Sequence, residues 1–492
     1  MIVLDRHDAL DLETYRRIVE GGERIEPAPE ALAYVDARRH GMLEALEAGQ
    51  PLYGVTTGLG YLASQPIAEQ DRAALQRSIL LGRAVAVGPP LPEVVVRGAL
   101  LLRLTGFLEG GAGVSSALCL FLADRLNDRF VPCVPAGPHG AAGEVSQLAH
   151  LFAAFVGEGS VLESGGPVPA LDALAARGAA PYEPQLKEGI ALVNGAPFAA
   201  ALTAPLLWRA RDLLEHATLA AALSAAVTGA SARPYSARIG QLKGDPAQVR
   251  VHARLLELLG PSFGDRSQAP VSTRVAPQVL GAVGGVLADA EAQLARELAA
   301  VTDSPLHLPE AGDEPAGFYP SGNFHAQALA FALDSVAIAC TQLGNLSEKR
   351  LHRLLDARFS GLPEQLAVDP GRQTGLTVLH KSVVGLCAEN RLLAAPASIA
   401  AWDTSAGQED VEAFTPLGAA KLGRLLDNLE LILAYELAAL AQARRLAKTP
   451  PPPNLAPATD ALAAVMPIVE DDRPLAPDVE RVRELVRSGT LV

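Results

Sequence analysis

The chain is poor in aromatic residues, which fill 4% of its 492 positions and include two tryptophans, and it has only three methionines. An aromatic-rich core is excluded, and packing has to come from aliphatic side chains. Cysteine is equally scarce. Cys119, Cys133, Cys340 and Cys387 lie far apart and follow neither a CxxC nor a secreted-framework spacing, so they read as reduced thiols. Three of them fall in apolar helical runs; Cys133, just ahead of a glycine-rich loop, is the one to test for reactivity. No block of Lys and Arg stands out and the formal net charge is −14, which leaves nucleic-acid binding without electrostatic support. No uninterrupted apolar run of about twenty residues is evident, so no membrane span is expected. The N-terminus carries acids early and lacks a basic segment leading into an apolar one, which points to a cytoplasmic protein without a signal peptide. The histidines offer no metal site: His139 and His150 flank the loop at a separation with no zinc-ligand pattern, and the others are scattered.

What the chain has in plenty is Ala and Leu, in segments that repeat apolar residues every three to four positions, the period of helix. Leu280, Val283, Leu287, Leu294 and Leu298 make one stripe. Leu422, Leu425, Leu429, Ile432, Leu433, Leu437 and Leu440 make another, ended by a run of prolines at 450–453. Residues 95–108, 206–227 and 478–487 are further helices by the same criterion. Stripes wider than one neighbour can cover pack as bundles, often across subunits. The fold class is all-α, a bundle of long helices. Its expected organisation is an N-terminal domain over 1–200, a central bundle over 201–450 and a C-terminal helical tail over 451–492.

The stretch that organises the rest covers 134–159 and reads VPAGPHGAAGEVSQLAHLFAAFVGEG. A Pro- and Gly-rich loop opens directly into an apolar run, as a constrained loop at a helix start does. The run GPHGAAGEVSQLAH resembles GSVGASGDLAPLAH of the aromatic amino acid ammonia-lyase and aminomutase family, which comprises the histidine, phenylalanine and tyrosine enzymes. In that family an internal Ala-Ser-Gly cyclises and loses water to give the electrophile methylidene-imidazolone (MIO). The matching positions here are Ala141, Ala142 and Gly143. An exocyclic alkene needs a leaving group on the middle Cβ, and alanine has none. The expectation is a chain without MIO and with no other cofactor.

The likeness covers nearly the whole chain. PLYGVTTGLGYLA resembles YGVNTGFGKLA and places Tyr53 at the family's catalytic tyrosine. LLGRAVAVGPPLP resembles SHAAGVGEPLP, with Arg83 at the position that selects the substrate side chain; a guanidinium there implies an acidic or strongly polar group. LKEGIALVNGAPF carries Asn194 onto the asparagine that contacts the prosthetic group. SQAPVSTRVAPQVLG resembles QDxYSxRxxPQ and keeps Arg274, which in the family grips the substrate carboxylate, but has Val271 in place of a second catalytic tyrosine. ELAAVTDSPL has Ala299 in place of an asparagine, SGNFHAQALAFALD places Asn323 and Phe324, and PTSANQED-like AWDTSAGQED gives Gln408 and Glu409 at the edge of the site. His139 stands where the family has a small apolar residue and is either a helix-facing side chain or a new acid/base group. Glu144 replaces an aspartate, and its carboxylate there can stabilise loop amides at the helix start.

The resemblance implies an ammonia-lyase-type bundle, of the fumarase/aspartase-like kind, with a homotetrameric core and active sites built from three of four chains. A single Ser to Ala change would fit an engineered trapping variant, but changes at Thr56, Arg83, Glu144, Val271 and Ala299 together fit a natural divergent member. The expected function is acid/base elimination, addition or cyclisation on a small carboxylate-bearing, amino-acid-like substrate, with Tyr53, His139 and Glu409 as the catalytic groups. A catalytically silent ligand-binding or partner paralogue, and a weak or inactivated ammonia-lyase, are the alternatives. Nucleic acid and membrane are not expected partners.

Overall fold

The apolar periodicity of the sequence becomes long helices in the computed structural model, which describes all residues but 7–9, 138–139, 141 and 448–449. The longest are Pro197–Thr228, Thr415–Leu446, Gln327–Leu355 and Ala276–Leu298. All the stripe residues named above, from Leu280 to Leu298 and from Leu422 to Leu440, are buried. Helices Glu93–Leu108 and Ala476–Arg487 take up the other predicted segments. Not every residue is helical or loop. Three two-stranded sheets occur among the described residues: Ile2–Leu4 pairs in parallel with Ile25–Pro27, Ser160–Glu163 antiparallel with Gly166–Pro169, and Leu306–Leu308 antiparallel with Gly317–Tyr319. Pairs this short give no helix-like periodic signal.

The chain divides into two compact units, each assembled from three segments: 1–205, 292–331 and 397–419 in the first, and 206–291, 332–396 and 420–492 in the second. This cuts the chain differently from the continuous blocks expected from sequence, because several boundaries fall inside long helices and not at linkers.

In the first unit, Arg97 is buried and donates to the carbonyls of Ile18, Val19 and Leu126. These carbonyls close helices Leu12–Val19 and Ser116–Asn127, whose final turns lack internal partners. Phe121, Phe130 and Phe152 pack around Phe155 with centroid separations of 5.3 to 5.8 Å. In the second unit, Arg350 meets Glu436 through two bonds of 2.6 and 2.7 Å, and Ser347 Oγ adds a third donor at 2.5 Å. All three residues are buried, and this fork joins Gln327–Leu355 to Thr415–Leu446, leaving Arg350 Nη1 without a hydrogen-bond partner among the described residues.

Among the described residues, two helical stretches, Glu188–Thr228 and Gln327–Leu355, are long and apolar enough by length and composition alone to cross a membrane. Their most apolar windows are 78% and 61% buried within the protein, the situation of core helices. All four cysteines are unpaired. Burial pushes the Cys133 thiol up, against the reactivity considered for it.

Candidate functional site

Tyr53 sits in a tight turn made possible by Gly54. The latter adopts φ +74°, and an added Cβ would come within 3.0 Å of Ile190 in helix Glu188–Val193. The turn therefore packs against that helix, and the Tyr53 hydroxyl oxygen accepts from Gly60 N–H at 2.7 Å. Negative charge developing on this oxygen would have a donor already in place.

Residue 194 is fixed in a related way. Gly195 has φ +142°, and a Cβ there would meet the Arg103 guanidinium at 2.5 Å, so the Asn-Gly pair marks a close packing contact and not a free turn. Asn194 Nδ2 donates to Ser304 O at 2.7 Å. Beneath it, Arg103 and Lys187 share the buried carboxylate of Asp303 at 3.5 and 3.2 Å.

These elements enclose a cavity of about 650 Å³ in the first unit, whose lining includes Tyr53, Arg83, Ala142, Asn194, Phe324 and Glu409. Gly143 and Gln408 also line it. The volume falls in the range of small-molecule sites. Glu409 is tied into the wall: Oε2 accepts from Ala142 N–H at 3.3 Å and Oε1 from Ser405 Oγ at 2.9 Å. Arg83 points one of its nitrogens toward Ile79 O at 3.5 Å, a weak bond that leaves most of its donors uncommitted. Burial holds its guanidinium below the ordinary value, opposed by Tyr53 and Glu409 nearby. Cation, carboxylate and phenol thus converge on one space.

Other expected residues fall elsewhere. His139 and Ala141 lie outside the described residues. Asn323 is exposed, and its amide donates to Val301 O at 3.1 Å. Arg274 belongs to the second unit, where its Nε donates to Ala269 O at 2.9 Å, and Val271 beside it is exposed.

Glu144 does not hold the amides of its own helix as expected. Its buried carboxylate accepts from Phe198 N–H at 2.5 Å and from Ala199 N–H, the first free donors of Pro197–Thr228. Burial pushes this carboxyl up to about 8, against the two amides and Arg103, which favour the charged form. The connection was hidden because Glu144 and Phe198 are far apart in sequence.

Glu412 was missed altogether. It is buried, and neither carboxylate oxygen has a hydrogen-bond partner among the described residues. Its Oε2 lies where a Cβ on Gly140 would come within 2.8 Å, which places it directly behind the loop. The only signal was an acid in the apolar run VEAF.

A methylidene-imidazolone does not fit the residues present. Ala142 contributes a methyl group to the cavity wall and offers no hydroxyl to expel, and its N–H is engaged by Glu409.

Comparison with known proteins identifies the family. Residues 10–467 match the family described as aromatic amino acid lyase. Histidine ammonia-lyase from Aromatoleum aromaticum is 36% identical over 98% of this chain and 92% of its own. Among solved structures, histidine ammonia-lyase from Trypanosoma cruzi is 30% identical with a TM-score of 0.90, covering 100% of this chain and 94% of that one. Ergothionase from Treponema denticola, solved in complex with desmethyl-ergothioneine sulfonic acid, is 25% identical with a TM-score of 0.95, covering 100% and 99%. The chain is a member of the aromatic amino acid lyase family.

Proposed function

We propose that this protein is a lyase-type enzyme that works without MIO, by acid/base chemistry on a small carboxylate-bearing, amino-acid-like substrate. The observation that carries this reading is the meeting of Tyr53, Arg83 and Glu409 in one cavity whose wall has a methyl group at Ala142. Arg83 takes the anionic end of the substrate in a forked contact. Tyr53 Oη, acting as the phenolate that Gly60 N–H supports, takes a proton from the carbon adjacent to the one bearing the leaving group and becomes the neutral phenol. The electron pair of the broken C–H bond forms the new double bond, and the departing group leaves with the pair from its own bond to carbon. With no electrophile to activate it, that group has to be a good leaving group as bound. Glu409, held by Ala142 N–H and Ser405, is placed to balance positive charge on it. Addition is the same path reversed.

The relatives support this substrate class by their names, which are those of enzymes acting on histidine and on ergothioneine. The reading extends to assembly: we take the working form to be a homotetramer, in which Arg274 of a neighbouring copy supplies a second grip on the carboxylate. The protein is expected to act in the cytoplasm.

The test is turnover of a panel of histidine, tyrosine, phenylalanine and ergothioneine, followed by absorbance of the unsaturated product, beside intact mass. The expected result is a mass equal to that of the sequence, turnover of one panel member, and a loss of roughly 100-fold or more in Tyr53→Phe, the size of a general-base contribution. A mass deficit matching the waters lost in cyclisation, with ammonia release at rates typical of relatives, would overturn it. Ligand-induced thermal shift with no turnover would instead identify a silent paralogue.

A further inference from the structure

The second unit brings together three side chains that the sequence keeps apart. Glu348 and His352 are one helical turn from each other on Gln327–Leu355, and His380 faces them from Thr377–Leu393. His380 Nε2 lies 2.7 Å from Glu348 Oε1, and the rings of His352 and His380 stack with centroids 4.5 Å apart and planes 23° from parallel. One ligating atom from each residue falls within 4.8 Å of the others.

We propose that Glu348, His352 and His380 form a binding site for a borderline divalent metal of the zinc class. Two imidazoles and one carboxylate are the donor set such ions take, with a water completing a four-coordinate shell. Zinc at about 2.1 Å from each donor needs donors about 3.4 Å apart, so a separation of up to 4.8 Å has to close by up to about 1.4 Å while the His380–Glu348 pair, at 2.7 Å, opens by about 0.7 Å. His352 can supply that movement. It is exposed, and no hydrogen bond among the described residues holds its ring nitrogens.

The remaining neighbours agree. Lys349 Nζ sits 2.7 Å from Glu348 Oε2, but this lysine is 60% exposed and can swing into water at small cost. An ion pair of Glu348 with His380 alone would not need a second imidazole stacked at the same carboxylate. A bound metal would clamp the two helices, and it would stabilise the folded chain by mass action.

The experiment uses the untagged full chain, stripped with chelator and dialysed. Zinc is titrated calorimetrically, and cobalt(II) serves as an optical probe of four-coordinate nitrogen and oxygen ligation. One saturable zinc per chain is expected, with a raised Tm, and His352→Ala and His380→Asn should each weaken binding at least tenfold. His352→Ala is a surface change, and far-UV circular dichroism of the metal-free variant checks that it folds. Absence of saturable binding, or binding of the same affinity in both variants, overturns the site.

Discussion

At the scale of single residues, the charge on Arg83 is the test of substrate class. Its guanidinium is partly desolvated and weakly committed within the protein, which is how a group waiting for an anionic partner is left. Losing a charge-assisted contact costs about 1.5–3 kcal/mol, so Arg83→Ala should raise KM for the turned-over substrate roughly 10- to 100-fold. The kcat should change less, because Tyr53 stays on Gly60. Steady-state kinetics on the substrate found in the panel measures both. The positions of Tyr53, Arg83, Asn194, Phe324, Gln408 and Glu409 were legible because each sits in a motif, and the cavity gathers all six. Glu412 was not, since an acid in an apolar run has no partner to announce it until Gly140 is folded against it.

At the scale of elements, the loop and the long helix behind it are coupled through Glu144. The folded chain holds this proton up to about pH 8, whereas an ordinary glutamate releases it at 4.5. Between those values the folded state binds more protons than the unfolded one, so unfolding free energy falls as pH rises, by at most about 1.4 kcal/mol per unit. Glu144→Gln removes the titrating group while keeping one carbonyl acceptor for the amides of Phe198 and Ala199. Urea midpoints of the two proteins at about pH 5 and about pH 8 should show the wild-type decline and a flatter variant. Helix lengths and buried stripes were readable from a 3.6-residue period alone. The helix-end contacts of Arg97 and Glu144 were not, because they join residues that no local pattern relates.

At the scale of the whole molecule, several long helices keep apolar side chains in the open. Ile338, Val378, Val384 and Leu392 in the second unit are all exposed, on helices whose opposite sides are buried. Faces of this kind seek cover from other chains. Light scattering after size exclusion should give four times 51.2 kDa for the wild type. Leu392→Glu, which puts a charge where a neighbour would sit, should reduce that mass without lowering helix content by circular dichroism. The interleaving of the units was invisible in the sequence because the helices that carry the chain across have no break in their apolar period.

Threading each unit from separated stretches also orders events in time. Synthesis delivers the tyrosine, the arginine and the glycine loop of the cavity early, but the carboxylate at 409 only near the end, after most of the other unit has been made. A nascent chain therefore spends much of its elongation with an unfinished hollow, and any fragment ending before 397 would carry the hollow without its last wall.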